Sequence, residues 1–133
     1  MRTDVSALYP GIVITSPAQN ALTTYLTDIV GSITSSRPIH EWVVEYADVT
    51  GINLHNLADS SRATLVQIAS GTTTVIDDVM ATFDPTTLPN GSYLVKVTVQ
   101  NDIGLGWTEG VILNVCGENK PGRLRLEFTD LAI

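Results

Sequence analysis

From Tyr93 to Gln100 the side chains alternate, with Tyr93, Val95, Val97 and Val99 on one side of a period of two and Leu94, Lys96, Thr98 and Gln100 on the other. A strand sends successive side chains to opposite faces and can use that rhythm; a helix cannot. Upstream, Asp84-Pro85 ends an apolar run, and Leu88-Pro89-Asn90-Gly91 makes a tight turn into the strand. A Leu, a Pro-Asn-Gly turn and a Tyr opening a long strand predict a corner between two sheet layers. There the Tyr93 hydroxyl bonds back to backbone a few residues upstream. The stretch from Met80 to Val99 thus constrains the architecture while carrying no chemistry of its own.

The rest of the chain reads as short strands punctuated by turn residues. Gly11 to Thr15 is a first strand, ended by Ser16-Pro17-Ala18-Gln19-Asn20, where Pro17 lacks the N–H of a central ladder and suits an edge or a break. Leu26 to Ile33 follows, with Gly31 marking a bulge or a close approach. Ile39 to Tyr46 places His40, Trp42, Val44 and Tyr46 on one face, and Trp42 is expected between the sheets. Residues 48–62 break the rhythm and form a long excursion, of the kind that is disproportionately functional or mobile. Further strands are expected at Thr64–Ala69, Gly71–Ile76, Val79–Phe83, Ser92–Asn101 and Trp107–Cys116, the last two joined by a turn at Asp102-Ile103-Gly104. Regularly spaced strands without a helix predict an all-β fold, an antiparallel β-sandwich of immunoglobulin or fibronectin type spanning residues 1–117. Residues 118–133 read as a linker plus one extra C-terminal strand, in which Leu124, Leu126 and Phe128 oppose Arg123, Arg125 and Glu127. That strand pairs onto this sandwich or belongs to a following region, and its edge can recruit a neighbouring chain.

A chain of 133 residues with 44% hydrophobic side chains can bury a core without metals or disulfides. Its formal charge of −7 speaks against nucleic acid and anionic membrane surfaces, because phosphates need clustered Lys and Arg. No stretch approaches the roughly 18 apolar residues of a membrane span, and no signal-peptide pattern follows Met1. The single cysteine, Cys116, excludes an internal disulfide or a cysteine zinc cluster and is read as a small packed side chain.

Several segments together carry a family resemblance: ITSP ending at Pro17, YLTDIVGSIT from Tyr25, WVVEYA from Trp42, ASGTTTV from Ala69, TFDPTTLPNGSYLVKVTV from Thr82 and VCGENKPGRLRLEFTDLAI from Val115. The chain resembles the immunoglobulin-like module that precedes the YD-repeat region of bacterial Rhs-type (rearrangement hotspot) proteins. The FDPT-LPNG-Y run and the GR-x-x-L-x-F-T-D-L tail are its specific parts. The resemblance implies a non-catalytic structural or interaction module, without cofactors, in a large secreted or cell-surface protein. Its partners would be adjacent domains of the same polypeptide, with protein or glycan as further candidates. Two departures from the family are the Asn101-Asp102-Ile103-Gly104 turn, which lacks the fuller Asp-rich turn of such domains and so speaks against calcium, and the long 48–62 excursion.

Candidate chemical sites are few. His55 lies near Asp59, Ser60 and Ser61, but no nucleophile elbow accompanies it, and His40 and His55 lack a close third metal ligand. Asp77, Asp78, Asp84 and Asp102 fall at strand ends or turns and are the calcium candidates, although isolated Asp residues in turns usually bond their own backbone. Glu41 and Glu45 sit about 13 Å apart along one strand, too far for a glycosidase pair. Carbohydrate binding is the rival to a structural role. Of its candidate platforms Trp107, Tyr25, Tyr9 and Trp42, only Trp107 combines a strand-end position with a flanking Gly104-Leu105-Gly106 loop, which suits a docking anchor as well as a sugar platform. The structural set is Trp42, Tyr93, Leu88, Pro89 and Gly91.

Overall fold

A computed structural model of the chain describes residues 8–52 and 64–117. Eight strands follow in order: β1 (Gly11–Ser16), β2 (Ala21–Thr23), β3 (Thr27–Thr34), β4 (Ile39–Asp48), β5 (Val66–Gly71), β6 (Val75–Phe83), β7 (Gly91–Asn101) and β8 (Gly106–Val115). They form a three-stranded sheet β1-β3-β6 and a five-stranded sheet β2-β8-β7-β4-β5. The fold is all-β, a sandwich of immunoglobulin-like character.

The alternation of β7 does what its sequence predicts. Tyr93, Val95, Val97, Val99 and Asn101 are buried, while the residues between them face outward. Ile29, Ile33, Met80, Ala81 and Phe83 of the smaller sheet meet Val44, Val111, Leu113 and Val115 of the larger one across the core. Toward one end three rings close the interior. Tyr46 stands edge-on to Phe83 with centroids 5.4 Å apart, and Tyr93 lies 6.2 and 6.1 Å from the two. These separations are in the range where edge-to-face and tilted ring pairs attract beyond their buried area.

The ladders are antiparallel with one exception. β2, which the sequence pattern does not signal, runs parallel to β8 and pairs Ala21–Thr23 with Leu113–Val115. The chain changes sheet between β1 and β2. The Ser16-Pro17 peptide there is cis, and Asn20 adopts φ 66°, a left-handed conformation that Asn tolerates. Its backbone N–H then donates to Ile112 O (2.7 Å), Ile112 N–H donates to Gln19 Oε1 (2.9 Å), and Asn114 Nδ2 donates to Asn20 O (3.1 Å). Pro17 thus marks a break between two strands, at the point where the first sheet hands over to the second.

Gly31 sits at irregularities on both sides, where the β1–β3 and β3–β6 registers shift. A Cβ there would overlap the Val13 carbonyl, so a close backbone approach is the reason for the glycine. Three expectations need correcting. Val75 to Phe83 is one strand with irregular pairing, and Asp77 takes φ 48° within it, so the separate strands expected at 71–76 and 79–83 do not exist. The strand expected to begin at Thr64 begins at Val66. Cys116, expected to be packed, is exposed, because it follows the last buried residue of β8.

Candidate functional site

The two ends of the sandwich have different inventories. At one end the β3–β4 connection, the β7–β8 turn and Leu8 come together. At the other lie residues 24–26, the connection at 84–90, the beginning of the 48–62 excursion and the exit at Cys116–Gly117. His55 and residues 118–133 lie outside the described residues, as does most of that excursion.

Asn101 organises the first end. Its side chain is 1% exposed and meets three backbone groups: Nδ2 donates to Leu8 O (2.7 Å), while Oδ1 accepts from Ile103 N (3.1 Å) and Leu105 N (3.0 Å). Sequence reasoning placed this residue at a strand end and missed its role. The signal was an Asn at an inward position of the alternation, followed by a Gly-containing turn. Beside it Arg37 and Asp102 form a two-pronged ion pair, Nε to Oδ1 at 2.8 Å and Nη2 to Oδ2 at 3.0 Å. The Arg37 hydrogen bond, aided by its charge, holds the Asp102 carboxyl below the usual carboxylate range, and Asp102 raises Arg37. With a folded pKa below the unfolded one, the pair stabilises the fold above the ordinary carboxylate range, and that contribution disappears as pH falls through the depressed value. NMR titration should therefore show Asp102 ionising below its ordinary value and moving back up in Arg37→Ala; an identical titration in both proteins would refute the pairing.

The remaining calcium candidates do not converge with Asp102. Asp78 Oδ1 accepts from Val79 N (2.7 Å), and Asp84 Oδ1 accepts from Thr86 N (2.9 Å) and Thr86 Oγ1 (2.6 Å). Asp77 N donates to Ser32 Oγ (2.9 Å). Asp84, at the end of β6, belongs to the opposite end of the sandwich from Asp102. Among the described residues no three His, Cys, Asp or Glu side chains gather as a metal-ligand set.

The second end is built on Tyr93. Its ring is 2% exposed and its hydroxyl donates to Pro89 O at 2.8 Å, with Leu88 packed against the core alongside. Leu88 N–H in turn donates to Pro85 O (3.1 Å), and Gly91 opens β7 opposite Val115. Tyr93→Phe removes the hydroxyl and its bond to Pro89 O while keeping the ring. It is expected to cost about 1–2 kcal/mol, read as a lower urea midpoint at unchanged slope; an unmoved midpoint would show the bond to be idle. Asn90 joins the corner to the exit of the chain, donating from Nδ2 to Gly117 O (3.2 Å).

Trp42 is 7% exposed in the core, whereas Trp107 is 46% exposed at the start of β8. The Trp107 ring is oriented by its indole N–H, which donates to Glu109 Oε2 at 2.9 Å. Glu109 also lines an open cleft of about 370 Å³ between β1 and β8, bordered by Val13, Thr15, Pro17, Gln19 and Val111. Of the other aromatic candidates, Tyr25 and Tyr9 are exposed and His40 is exposed on β4. No protein-family model matches the chain, and no curated protein matches it.

Proposed function

We propose that this chain is a non-catalytic structural and interaction module of a large bacterial Rhs or YD-repeat-like secreted or surface protein, holding neighbouring domains in fixed relation. The observation that carries the reading is that the described chain is pinned at opposite ends of the sandwich by two asparagine side chains. Asn101 holds Leu8 where the chain comes in, and Asn90 holds Gly117 where it goes out. A unit fastened this way transmits position along its strands, because bending it would shear two sheets that share one apolar core. The resemblance carried by Thr82 to Val99 and by Gly122 to Leu131 supplies the biological setting. Small-angle scattering on the intact polypeptide is the test. A spacer gives a fixed separation between the flanking regions, and a distribution as broad as that of a flexible linker would overturn the reading.

Carbohydrate binding is the second reading, favoured by the half-exposed Trp107, whose indole N–H is held by Glu109, a residue that lines the β1–β8 cleft. An exposed ring fixed by a carboxylate offers a sugar both a stacking face and an acceptor. A glycan array separates the two: the spacer reading expects no binding, and a glycan bound by the chain but lost in Trp107→Ala would establish the sugar site.

A further inference from the structure

β2 shields only part of the strand it pairs with. Its residues take Leu113–Val115, and just beyond them Gln19 Oε1 accepts from Ile112 N–H (2.9 Å) while Asn20 N–H donates to Ile112 O (2.7 Å). There the ladder stops. In an antiparallel pair, residues whose N–H and C=O point to one side alternate with residues whose groups point to the other. Ile112 points away from β7, so Gly110 and Thr108 do as well. From Gly106 to Val111 that side of β8 has no partner strand among the described residues. An unpaired edge of this kind is a template for one more strand.

A carboxylate sits beside that edge. Glu109 shares the inward parity of Val111 and Leu113, and it lines the open cleft between β1 and β8. Its Oε2 accepts from the Trp107 indole, and its Oε1 has no partner among the described residues. The described Lys and Arg are engaged elsewhere. Arg37 is bound to Asp102, and Lys96 has the outward parity of β7, between the buried Val95 and Val97.

We propose that this edge takes an extended segment of a partner protein that carries a lysine or arginine, added as a strand beside Thr108–Gly110 with its cation on Glu109. Main-chain groups supply affinity in such an addition, and the carboxylate selects the side chain. The segment would run along the line of β2, so it continues a ladder that the fold already begins. The same charge argues against a second copy of this chain. If two β8 edges met antiparallel, with Thr108 of each paired to Gly110 of the other, the two Glu109 residues would stand directly opposite, and like charges there destabilise a ladder. Each copy also carries a formal charge of −7, which opposes self-association and favours a cationic partner. The site lies on the side of the sandwich and is independent of the spacer reading, which uses its two ends.

The test titrates the full chain, residues 1–133, isotope-labelled for NMR, with a short blocked peptide alternating lysine and valine. A matched peptide alternating glutamate and valine is the control. Amide shifts are expected to centre on Thr108 and Gly110, with slowed exchange at both. Glu109→Gln should weaken the lysine peptide about fivefold, and Glu109→Lys should transfer the preference to the glutamate peptide. Thr108→Pro removes an outward N–H that the β7 ladder does not use, and it should abolish binding while Val95, Val97 and Val99 keep their protection. No response at Thr108 and Gly110, equal binding of the two peptides, or an affinity indifferent to both Glu109 variants would overturn the proposal. So would a response at Thr108 and Gly110 that grows with protein concentration alone, since that assigns the edge to a second copy.

Discussion

Trp42→Ala is expected to destabilise the fold by about 3–5 kcal/mol, the range for truncating a buried tryptophan. Its surroundings argue for the upper part. The ring lies over Gly71, at the end of β5, closely enough that a Cβ on that glycine would overlap it. The indole N–H donates to Thr73 O at 2.8 Å, in the connection that carries the chain from the five-stranded sheet to the three-stranded one. Truncation therefore empties a volume in the core and releases the crossing between layers. Urea unfolding followed by far-ultraviolet circular dichroism checks it, since Trp107 remains to confuse fluorescence. Trp42→Phe should fall between wild type and alanine, keeping a ring but leaving Thr73 O without its donor. A Trp42→Ala protein as stable as wild type would remove Trp42 from the core and with it the packing of the two sheets around this strand.

Asn101→Ala is expected to cost about 2–4 kcal/mol, because three backbone partners lose their bonds together and each such bond contributes on the order of 1 kcal/mol before the burial penalty of the orphaned group. The loss should also be local in a way that a core truncation is not. Ile103 and Leu105 amides, which donate to Asn101 Oδ1, should exchange faster than the rest of the β7–β8 hairpin. Asn101→Asp keeps the acceptor but turns the Leu8 contact repulsive and buries a charge, so it should rescue little. Stability within about 0.5 kcal/mol of wild type, the usual scatter of a surface substitution, would show that the turn holds itself.

Much of this architecture is written in short-range patterns. The period of two in β7 and the Leu-Pro-Asn-Gly-Tyr sequence specify a strand face and a corner through backbone geometry alone, and the Tyr93 bond spans only four residues. Trp42 is likewise readable, as a large aromatic on the apolar side of an alternating strand. The break at Pro17 follows from a missing N–H. Less was legible where pairing is distant. β2 is three residues long and has no alternation to display; it is a strand because Asn114 and Ile112, some ninety residues later, hold Gln19 and Asn20 in place. The irregular β6 reads as two strands because bulges interrupt a period that only the neighbouring β3 restores.

The candidate sites divide along the same line. Asp84 and Asp78 bond the backbone beside them, as Asp in turns tends to do. Asp102 looks equivalent to them in the chain, yet it meets Arg37, 65 residues away. Exposure was also decided in three dimensions. Cys116 has the neighbours of a packed residue but falls past the reach of the opposing sheet, while Leu26, within an expected strand, stands exposed to water. Local order alone therefore determined that this protein is made of strands, where they turn and which faces are apolar, since each depends on a few consecutive dihedrals. Which strands pair, which ends are pinned and which apolar residues remain uncovered depended on contacts between distant segments, and those exist only once the two sheets have closed on each other.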